Sequence, residues 1–261
     1  MEHNKIESVS IIGAGNVASH LALELFSLGV KISEIWSWHL TNAEELARKT
    51  NASTCITLPE LKTDVDLVII AIKDDSVSAM INQLPKGVKA IVHTSGGLNM
   101  DILSGASSNI GVFYPLQSFK KDEEIDWLTV PICIEANNDE FSKQLRFLAG
   151  ELSKTVQFVS SKQRKKIHIA AVIANNFTNY LYSVAHDIAV EADVPFNLLL
   201  PLIKQSTSKL NGDDPFIFQT GPAKRNDLKL INDHLEILKG HEETAELYKY
   251  LSDMIIKKTG N

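Results

Sequence analysis

Short apolar runs alternate with helix-like spacing of apolar residues over the first 160 positions of the chain. The run over residues 65–72 is rich in β-branched side chains, which is typical of a parallel strand buried on both faces. The alternation of strands and helices predicts an α/β domain with a doubly wound, Rossmann-type parallel sheet. The predicted strands cover residues 9–12, 32–37, 55–57, 65–72, 90–93, 110–114, 130–135 and 156–159.

Beyond residue 160 the pattern changes, because helical spacing continues without strand signals. Proline and glycine divide this region into predicted helices over residues 162–192, 196–209, 224–239 and 243–258. We therefore expect two domains, a NAD(P)-binding domain over residues 1–160 and an all-helical substrate and dimerisation domain over residues 161–261. The first of these helices would be on the order of 45 Å long, so its apolar residues predict burial in a homodimer.

A glycine motif follows the first predicted strand and opens the first predicted helix. In this motif Gly13 permits a tight turn, Gly15 lets a pyrophosphate approach the backbone, and Ala18 keeps the helix close to the sheet. The backbone N–H groups at the helix start, at Asn16 and Val17, would bind the phosphates. This context predicts dinucleotide binding, and the alternative is an ordinary strand–turn–helix connection.

The tip of the second predicted strand carries Ser37, Trp38 and His39, and it has no carboxylate. In dinucleotide-binding domains an acid at this tip binds the ribose hydroxyls of NAD. Glu34 has about the right spacing from the glycines, but we expect it near the wrong end of the strand. The tip therefore favours NADP, with hydrogen bonds from Ser37, His39 and the polar residues that follow, and leaves NAD as the alternative.

Ligands of a doubly wound sheet lie beyond the carboxyl ends of its strands. Ala71 and Lys73 follow one predicted strand, and His93 and Ser95 close another, so all four are candidate cofactor-binding residues. For His93 and Ser95, turn formation explains the residue types equally well. For Asp74 we prefer the interpretation that it caps a helix.

Five neutral hydrogen-bonding side chains share one face of the long predicted helix. On an ideal α-helix they project within about 40° of one another. A solvated face is usually rich in Lys and Glu, so the stripe predicts a site or a buried hydrogen-bond network. His168 is the candidate proton donor, because an imidazole titrates near neutral pH, and Asn175 would orient the substrate or the histidine. The five residues are His168, Asn175, Asn179, Tyr182 and His186.

Two other polar segments of the helical region have ordinary explanations. The basic run over residues 163–166 is predicted to be a solvated face. In residues 219–227, Thr220 would cap a helix that Pro222 enters in its first turn, which leaves N–H groups for a carboxylate or phosphate. A capped helix without a ligand explains the same residues equally well.

The composition of the chain argues against several classes of partner. The formal net charge of −6 argues against nucleic-acid binding. Cys55 and Cys133 lack disulfide or metal-site spacing, so we expect no metal and two small core residues in a reducing compartment. The N-terminus lacks the order of a signal peptide, and no apolar run approaches the ~20 residues that span a bilayer. A cytoplasmic protein that acts on a small molecule, with no membrane partner, is expected.

Longer motifs resemble known families. The sequence Ile-Ile-Gly-Ala-Gly-Asn-Val-Ala is similar to the opening of pyrroline-5-carboxylate reductases and of deazaflavin-dependent NADP reductases. Four motifs resemble a group of Rossmann-like NADP oxidoreductases whose C-terminal domain has no known function, and this resemblance extends over nearly the whole chain. The four motifs are VHTSGG (92–97), GVFYPLQSF (111–119), HIAAVIANNFTN (168–179) and QTGPAKR (219–225).

The resemblance implies an NAD(P)-binding domain followed by an all-helical domain resembling that of 6-phosphogluconate dehydrogenase, which usually supports a homodimer. Two positions depart from the relatives. Trp38 stands where many relatives carry an arginine that would favour NADP. Val172 occupies the position of the catalytic lysine of β-hydroxyacid dehydrogenases, so the lysine mechanism does not apply here, and His168, one helical turn earlier on the same face, is a candidate substitute that no spacing argument requires.

The leading hypothesis is an oxidoreductase that moves hydride between NADP(H) and a small carbonyl or imine substrate. The alternative is a non-catalytic sensor that binds NAD(P), because the sequence compels no catalytic residue. A Rossmann-type methyltransferase or nucleotide-sugar enzyme is a third interpretation, which requires the glycine turn to bind another ligand.

Overall fold

The computed structural model of the protein describes residues 5–260. Packing divides the chain into two compact units, one extending to Ala174 and the other beginning at Asn175. The division falls inside the long helix, whereas the boundary predicted from the sequence lies at its start. Within the described residues, no helix has both the length and the apolar character needed to cross a membrane.

The first unit is built on a single eight-stranded sheet with the order β3-β2-β1-β4-β5-β6-β7-β8. All neighbouring strands are parallel except β6 and β7. The strands are β1 (Ser8–Ile12), β2 (Lys31–Trp36), β3 (Ser53–Thr54), β4 (Leu67–Ile70), β5 (Ala90–His93), β6 (Asn109–Pro115), β7 (Ile132–Ala136) and β8 (Val156–Phe158). The predicted Rossmann-type α/β fold, with a helical C-terminal region, is confirmed.

Helices occupy both faces of the sheet and most of the C-terminal region. Short 3₁₀ turns join several of them. The helices are α1 (Asn16–Ser27), α2 (Leu40–Lys49), α3 (Asp74–Ile81), α4 (Asp139–Leu152), α5 (Ser161–Ala171), α6 (Thr178–Glu191), α7 (Leu200–Ser208), α8 (Leu228–Ile237) and α9 (Glu242–Thr259).

The central strands are apolar on both faces because both faces are covered. Ile11 of β1 and Ile69 of β4 belong to a core cluster that includes the buried faces of α1, α2 and α4. Ile12 and Ile70 belong to a second cluster that includes the buried face of α3. Each fully buried isoleucine stabilises the fold by about 1.5–3 kcal/mol. The continuous apolar runs of the sequence thus correspond to the middle of a two-sided core.

The pairing of β6 with β7 differs from the all-parallel prediction. Tyr114 pairs with Cys133 in an antiparallel register. Parallel neighbours need a crossover connection, usually a helix. Between β6 and β7 the chain instead forms a loop with one short 3₁₀ turn, Trp127–Thr129, so it returns in the opposite direction.

The long predicted helix exists but changes its hydrogen-bonding pattern in the middle. A capping box of Ser160 and Gln163 starts α5. A π-helical segment, Val172–Phe177, then separates α5 from α6. Because a π turn takes one extra residue, later side chains are displaced by about 100° around the axis. The ideal spacing behind the predicted five-residue stripe is therefore not kept across this segment.

The second unit contains helices with few buried side chains. Neither α6 nor α7 contains a buried residue. Between α8 and α9, Nδ1 of His234 lies 2.7 Å from the hydroxyl of Tyr248. The predicted helix over 224–239 begins later, at Leu228, where the Asp227 carboxylate accepts from the N–H of Leu230 at 3.2 Å. The predicted cap at Thr220 is therefore wrong.

Candidate functional site

The turn after β1 has no room for a side chain at its first glycine. Gly13 has a φ of +127°, and a Cβ atom there would lie 2.2 Å from the carbonyl oxygen of Ala71. Its N–H donates to the carbonyl of Trp36 at 2.7 Å, which ties the turn to the end of β2. Because only glycine adopts this conformation readily, Gly13 fixes where the chain leaves the sheet.

Gly15 leaves the backbone in front of α1 open to a ligand. A Cβ atom at this position would meet no atom within 4 Å, so the packing of the protein itself does not require glycine here. Among the described residues, no side chain caps α1, so its first N–H groups are available to an anion. Ala18 is fully buried against the sheet. This cradle fits the pyrophosphate of a dinucleotide.

The loop after β6 is tied to the start of α1. The amide of Asn16 donates to the carbonyl of Phe119 at 2.8 Å. One turn later, Nε2 of His20 lies 2.7 Å from the carbonyl oxygen of Lys120. The loop therefore packs against the helix start, and the side chain of Asn16 has a structural partner while its backbone N–H remains at the cradle.

The tip of β2 presents an exposed indole and no acid. Trp38 is 57% exposed and packs edge-on against the buried ring of Trp36, with ring centroids 4.6 Å apart. Glu34 is buried, and its carboxylate accepts from the backbone N–H of Lys62 at 2.8 Å. Glu34 is the fourth of the six residues of β2, so it lies inside the strand, neither at the tip nor at the opposite end where we expected it.

One cavity of about 910 Å³ extends from the glycine turn past the β2 tip to the ends of β4, β5 and β6. It brings together eleven of the thirteen candidate catalytic and cofactor-binding residues, and the other two, His93 and Asn175, do not line it. The predicted residues in its lining are Gly13, Gly15, Asn16, Val17, Ser37, Trp38, His39, Ala71, Lys73, Ser95 and His168.

His93 lies behind the cavity wall rather than on it. Its ring is 1% exposed, and Nδ1 accepts from the N–H of Ser95 at 3.1 Å. Among the described residues, Nε2 of His93 has no hydrogen-bond partner. The backbone of Asn99 nevertheless lies near the ring and favours its protonated form. Burial, assisted by the charge of Arg164, lowers the pKa of His93 to about 4. The ring is therefore neutral at pH 7.

Ser95 organises the turn after β5. Its hydroxyl donates to the carboxylate of Asp74 at 2.7 Å and accepts from the N–H groups of Gly97 and Leu98, both at 3.0 Å. The helix N-cap in front of Asp74 is Lys73, so the carboxylate bonds to this serine instead of capping α3. The preferred interpretation of Asp74 as a cap is therefore wrong.

His168 of α5 lies against the end of β6. Its Nδ1 is 3.1 Å from the hydroxyl of Tyr114, and the two rings meet edge to face. A Cβ atom at Gly96 would lie 2.6 Å from that Nδ1 and 3.0 Å from Cζ of Tyr114. The absence of a side chain at Gly96 thus gives the pair its room, and burial raises the pKa of Tyr114.

Arg164 is the residue that sequence reasoning missed. The basic run over 163–166 is not uniformly solvated, because this guanidinium is completely buried. It pairs with the carboxylate of Glu135 on β7 and donates from Nε to the carbonyl of Ser95 at 3.1 Å, and it also donates to the carbonyl of Leu98. Glu135 in turn accepts from the hydroxyl of Ser161 at 2.7 Å. Nothing in the local sequence distinguishes Arg164 from its exposed neighbours.

Asn175 lies in the π-helical segment and is exposed. It belongs to the second unit, whereas His168 belongs to the first. Across the described part of the chain, no group of three or more His, Cys, Asp or Glu side chains could hold a metal ion. The cavity lining offers hydroxyl, imidazole and backbone N–H groups, together with the amine of Lys73, the carboxylate of Asp74 and the side-chain amide of Gln117.

Two family descriptions match the sequence. Residues 8–95 match the family described as NADP oxidoreductase, coenzyme F420-dependent. Residues 130–255 match a domain of unknown function. No curated protein matches the chain.

Solved structures match over nearly the full length. A Bacteroides fragilis protein described as a "putative NADP oxidoreductase" is 34% identical, with a TM-score of 0.87 over 96% of this chain and 98% of that one. A Thermotoga maritima protein is 21% identical, with a TM-score of 0.73 over 97% and 98%. The 1-pyrroline-5-carboxylate reductase of Streptococcus pyogenes is 18% identical, with a TM-score of 0.63 over 97% of each chain. At these lower identities the last two show the fold alone.

Proposed function

Because the chain belongs to the NADP oxidoreductase family that the Bacteroides fragilis protein represents, we propose that it transfers hydride between NADP(H) and a small carbonyl or imine substrate. The observation that carries this proposal is one cavity that contains both the glycine cradle and the His168–Tyr114 pair. A hydride-transfer site needs both, since the cradle would bind the cofactor and the pair would supply a proton.

The cradle and the β2 tip would hold the two ends of the adenosine diphosphate part of the cofactor. Gly13, Gly15 and the first N–H groups of α1 would bind the pyrophosphate. Ser37 and His39 line the cavity at the β2 tip, and their side chains would donate hydrogen bonds to a 2′-phosphate bound there. When bound, NADP(H) supplies the hydride.

The acceptor would bind where β5, β6 and α5 meet. Tyr114, Gln117 and His168 line this end of the cavity, and all three carry groups that can donate hydrogen bonds to a C=O or C=N group. The substrate named in the Streptococcus pyogenes reductase is a cyclic imine, which is the same class of acceptor.

His168 would donate the proton. With Nδ1 on Tyr114, Nε2 is the ring nitrogen left for a substrate. The Nε2–H bond of the imidazolium breaks, and an N–H or O–H bond forms on the substrate as its carbon gains the hydride.

We also propose that the protein is a homodimer. Large apolar side chains of the second unit are exposed, and α6 and α7 bury none of their residues. Exposed apolar patches of this kind are usually interfaces, and a second copy presents an identical apolar surface. The exposed residues on α6 and α7 include Tyr180, Leu181, Ile188, Val190 and Leu202. Light scattering at micromolar concentration should give the mass of a dimer, and a monomeric mass would contradict this proposal.

A reducing, cytoplasmic compartment suits the two thiols. Cys55 and Cys133 are both free and buried. Burial, followed by the charge of Glu34, raises the pKa of Cys55 to about 11, and burial raises the pKa of Cys133. Neither thiol is therefore poised for oxidation at neutral pH.

The test combines cofactor binding with turnover. The protein would be titrated with NADPH and then assayed by nicotinamide absorbance against aldehydes, ketones, cyclic imines and a deazaflavin. We expect NADPH to bind and at least one carbonyl or imine to be reduced, with turnover lost in His168→Asn but kept in the matched control His186→Asn, whose histidine lies on α6.

The other outcomes separate the alternatives. NADPH binding without turnover of any acceptor would favour a nucleotide sensor. Reduction of the deazaflavin alone would overturn the proposed substrate class, and the absence of NADPH binding would overturn the whole proposal. Purification with a different nucleotide in place would favour the third interpretation, a transferase or nucleotide-sugar enzyme.

A further inference from the structure

The hydroxyl of Tyr114 lies 3.1 Å from Nδ1 of His168. Tyr114 is the sixth of the seven residues of β6, and its ring is 9% exposed. Its backbone is fixed by antiparallel pairing with Cys133, so the hydroxyl is presented from a rigid strand rather than from a loop. His168 lies on α5, two turns after the capping box at Ser160 and Gln163.

Two surrounding features hold the pair in one geometry. Gly96 covers the contact, because its backbone approaches so closely that a Cβ atom would lie 2.6 Å from Nδ1 of His168. Arg164 lies one helical turn before His168 and is bonded to the turn that contains Gly96 through the carbonyl of Ser95. The helix, the turn and the strand therefore meet at the hydrogen bond.

The charged and titratable groups around Tyr114 come from three elements. They are Asp74 at the start of α3, Cys133 on β7 and Arg164 on α5. Asp74 is bonded to Ser95, Arg164 is paired with Glu135, and Cys133 is a buried thiol. Burial raises the pKa of Tyr114, so its hydroxyl keeps its proton and remains a neutral partner across the working pH range.

A neutral hydroxyl favours the charged form of an imidazole that it contacts. When the ring is neutral, the hydroxyl donates to Nδ1 in an ordinary hydrogen bond. When the ring is charged, Nδ1–H donates to the hydroxyl oxygen, and such charge-assisted bonds are roughly twice as strong. The hydroxyl rotates between the two arrangements without any movement of the rings.

We propose that Tyr114 is a positioning residue for proton delivery, which orients His168 with Nε2 available to the substrate and accepts a hydrogen bond from Nδ1–H when the ring is charged. This inference rests on the proposed function for its consequence in turnover. The contact itself can be tested in the protein without substrate.

The first test is a proton NMR titration of the histidine rings in the full chain, with His168→Asn used to assign the resonance of His168. In Tyr114→Phe the midpoint for His168 should move to lower pH by roughly half a unit to one unit, because the charged ring loses its acceptor. Tyr248→Phe is the matched control, since it removes the same type of His–Tyr hydrogen bond from His234 and should leave the midpoint of His168 unchanged.

The second test is the pH profile of turnover. A proton donor acts while it is charged, so activity is present at low pH and lost as pH rises through its titration. In Tyr114→Phe this loss should begin at lower pH, with kcat at pH 8 reduced roughly threefold to tenfold and the dissociation constant of NADPH unchanged.

The outcomes distinguish this inference from the proposed function. A midpoint that stays in place or moves to higher pH in Tyr114→Phe would overturn the role of Tyr114, whether or not the protein turns over a substrate. A midpoint that moves as expected, in a protein that reduces no acceptor, would support the contact and count against the proposed reaction.

Discussion

Arg164 of α5 and Glu135 of β7 form an ion pair in which the guanidinium is completely buried. The same guanidinium donates to the carbonyls of Ser95 and Leu98, so it ties the helix to the turn after β5. Arg164 and His168 are four residues apart and share a face of α5. The ion pair thus anchors the helix turn that carries the candidate proton donor.

Replacing Arg164 should be strongly destabilising. Arg164→Met removes the charged partner of Glu135, which keeps only its hydrogen bonds from Ser161, and it removes the donor to two backbone carbonyls. Breaking a buried ion pair costs about 3–5 kcal/mol. Lys165→Met is the matched control, because this neighbour is exposed and its loss should change the free energy of unfolding by less than about 0.5 kcal/mol. Urea unfolding measures both. Equal midpoints for the two variants would show that the pair contributes nothing.

Substitutions at the two glycines of the cradle should affect different properties, one the binding of NADPH and the other the stability of the fold. Gly15→Val should abolish NADPH binding and leave the melting temperature unchanged, because a side chain there meets only the space for the pyrophosphate. Gly13→Ala should lower the melting temperature, because its Cβ atom would lie 2.2 Å from a backbone carbonyl oxygen.

Calorimetric titration and thermal melting together test this pair of variants. Unchanged affinity for NADPH in Gly15→Val would remove the basis for the cradle. An undisturbed melting temperature in Gly13→Ala would show that the turn can relax.

The buried ring of His93 should make the fold sensitive to acid. Its pKa is about 4 in the folded protein and about 6.5 when unfolded, so the unfolded chain binds more protons between these values. The contribution to stability is complete above pH 6.5 and is lost as pH falls toward 4, by about 3 kcal/mol in total.

Urea unfolding at several values between pH 7 and pH 4 measures this loss. His93→Asn should flatten the dependence on pH, whereas replacing the exposed His39 in the same way should not. A slope that is the same in His93→Asn and in the natural sequence would assign the acid sensitivity to other groups.

Much of the fold follows from local patterns in the sequence. The run Val9–Ile12, the glycines after it and the apolar face of α1 lie next to one another in the chain, so their packing is readable from spacing alone. The antiparallel return to β7 is different, because it depends on the absence of a crossover helix between β6 and β7. The π-helical segment could not be predicted from periodicity either, because one extra residue in a turn does not change the types of residue in the helix.

The residues of the site likewise fall into those that the local sequence predicts and those that depend on distant partners. The cradle is a local motif, and its glycines line the cavity as the sequence predicts. Arg164 resembles its solvated neighbours in sequence, and its burial is explained by the carboxylate of Glu135, 29 residues away, and by the carbonyls of Ser95 and Leu98, which are still more distant in the chain. The role proposed for Tyr114 likewise depends on its contact with His168, which is 54 residues away. Partners so distant in sequence cannot be paired from one chain's periodicity.

A side chain at Gly96 should separate His168 from Tyr114. In Gly96→Ala the new Cβ atom would overlap both rings, so we expect turnover to fall roughly tenfold or more while NADPH still binds at the cradle. Gly150→Ala is the matched control, because its Cβ atom meets nothing within 4 Å and the residue lies inside α4. Turnover in Gly96→Ala equal to that of the control would mean that the contact is dispensable.

The preference for NADPH over NADH should depend on the charge of the side chain at position 38. The β2 tip carries no acid to bind the ribose hydroxyls of NADH, and Ser37 and His39 can donate to a 2′-phosphate, so NADPH should bind more tightly than NADH. The exposed indole supplies no positive charge. Trp38→Arg should therefore tighten NADPH about tenfold or more and change the affinity for NADH little, because a charge-assisted bond to a phosphate is worth about 1.5–3 kcal/mol.

Trp38→Phe separates charge from ring shape at this position. The phenyl ring keeps an aromatic surface and adds no charge, so the ratio of the two dissociation constants should stay within about twofold of that in the natural sequence. Fluorescence titration with NADPH and NADH measures the ratio in all three proteins. Tighter binding of NADH than of NADPH by the natural sequence would reverse the assignment of the cofactor. An unchanged ratio in Trp38→Arg would mean that the 2′-phosphate does not lie at the β2 tip.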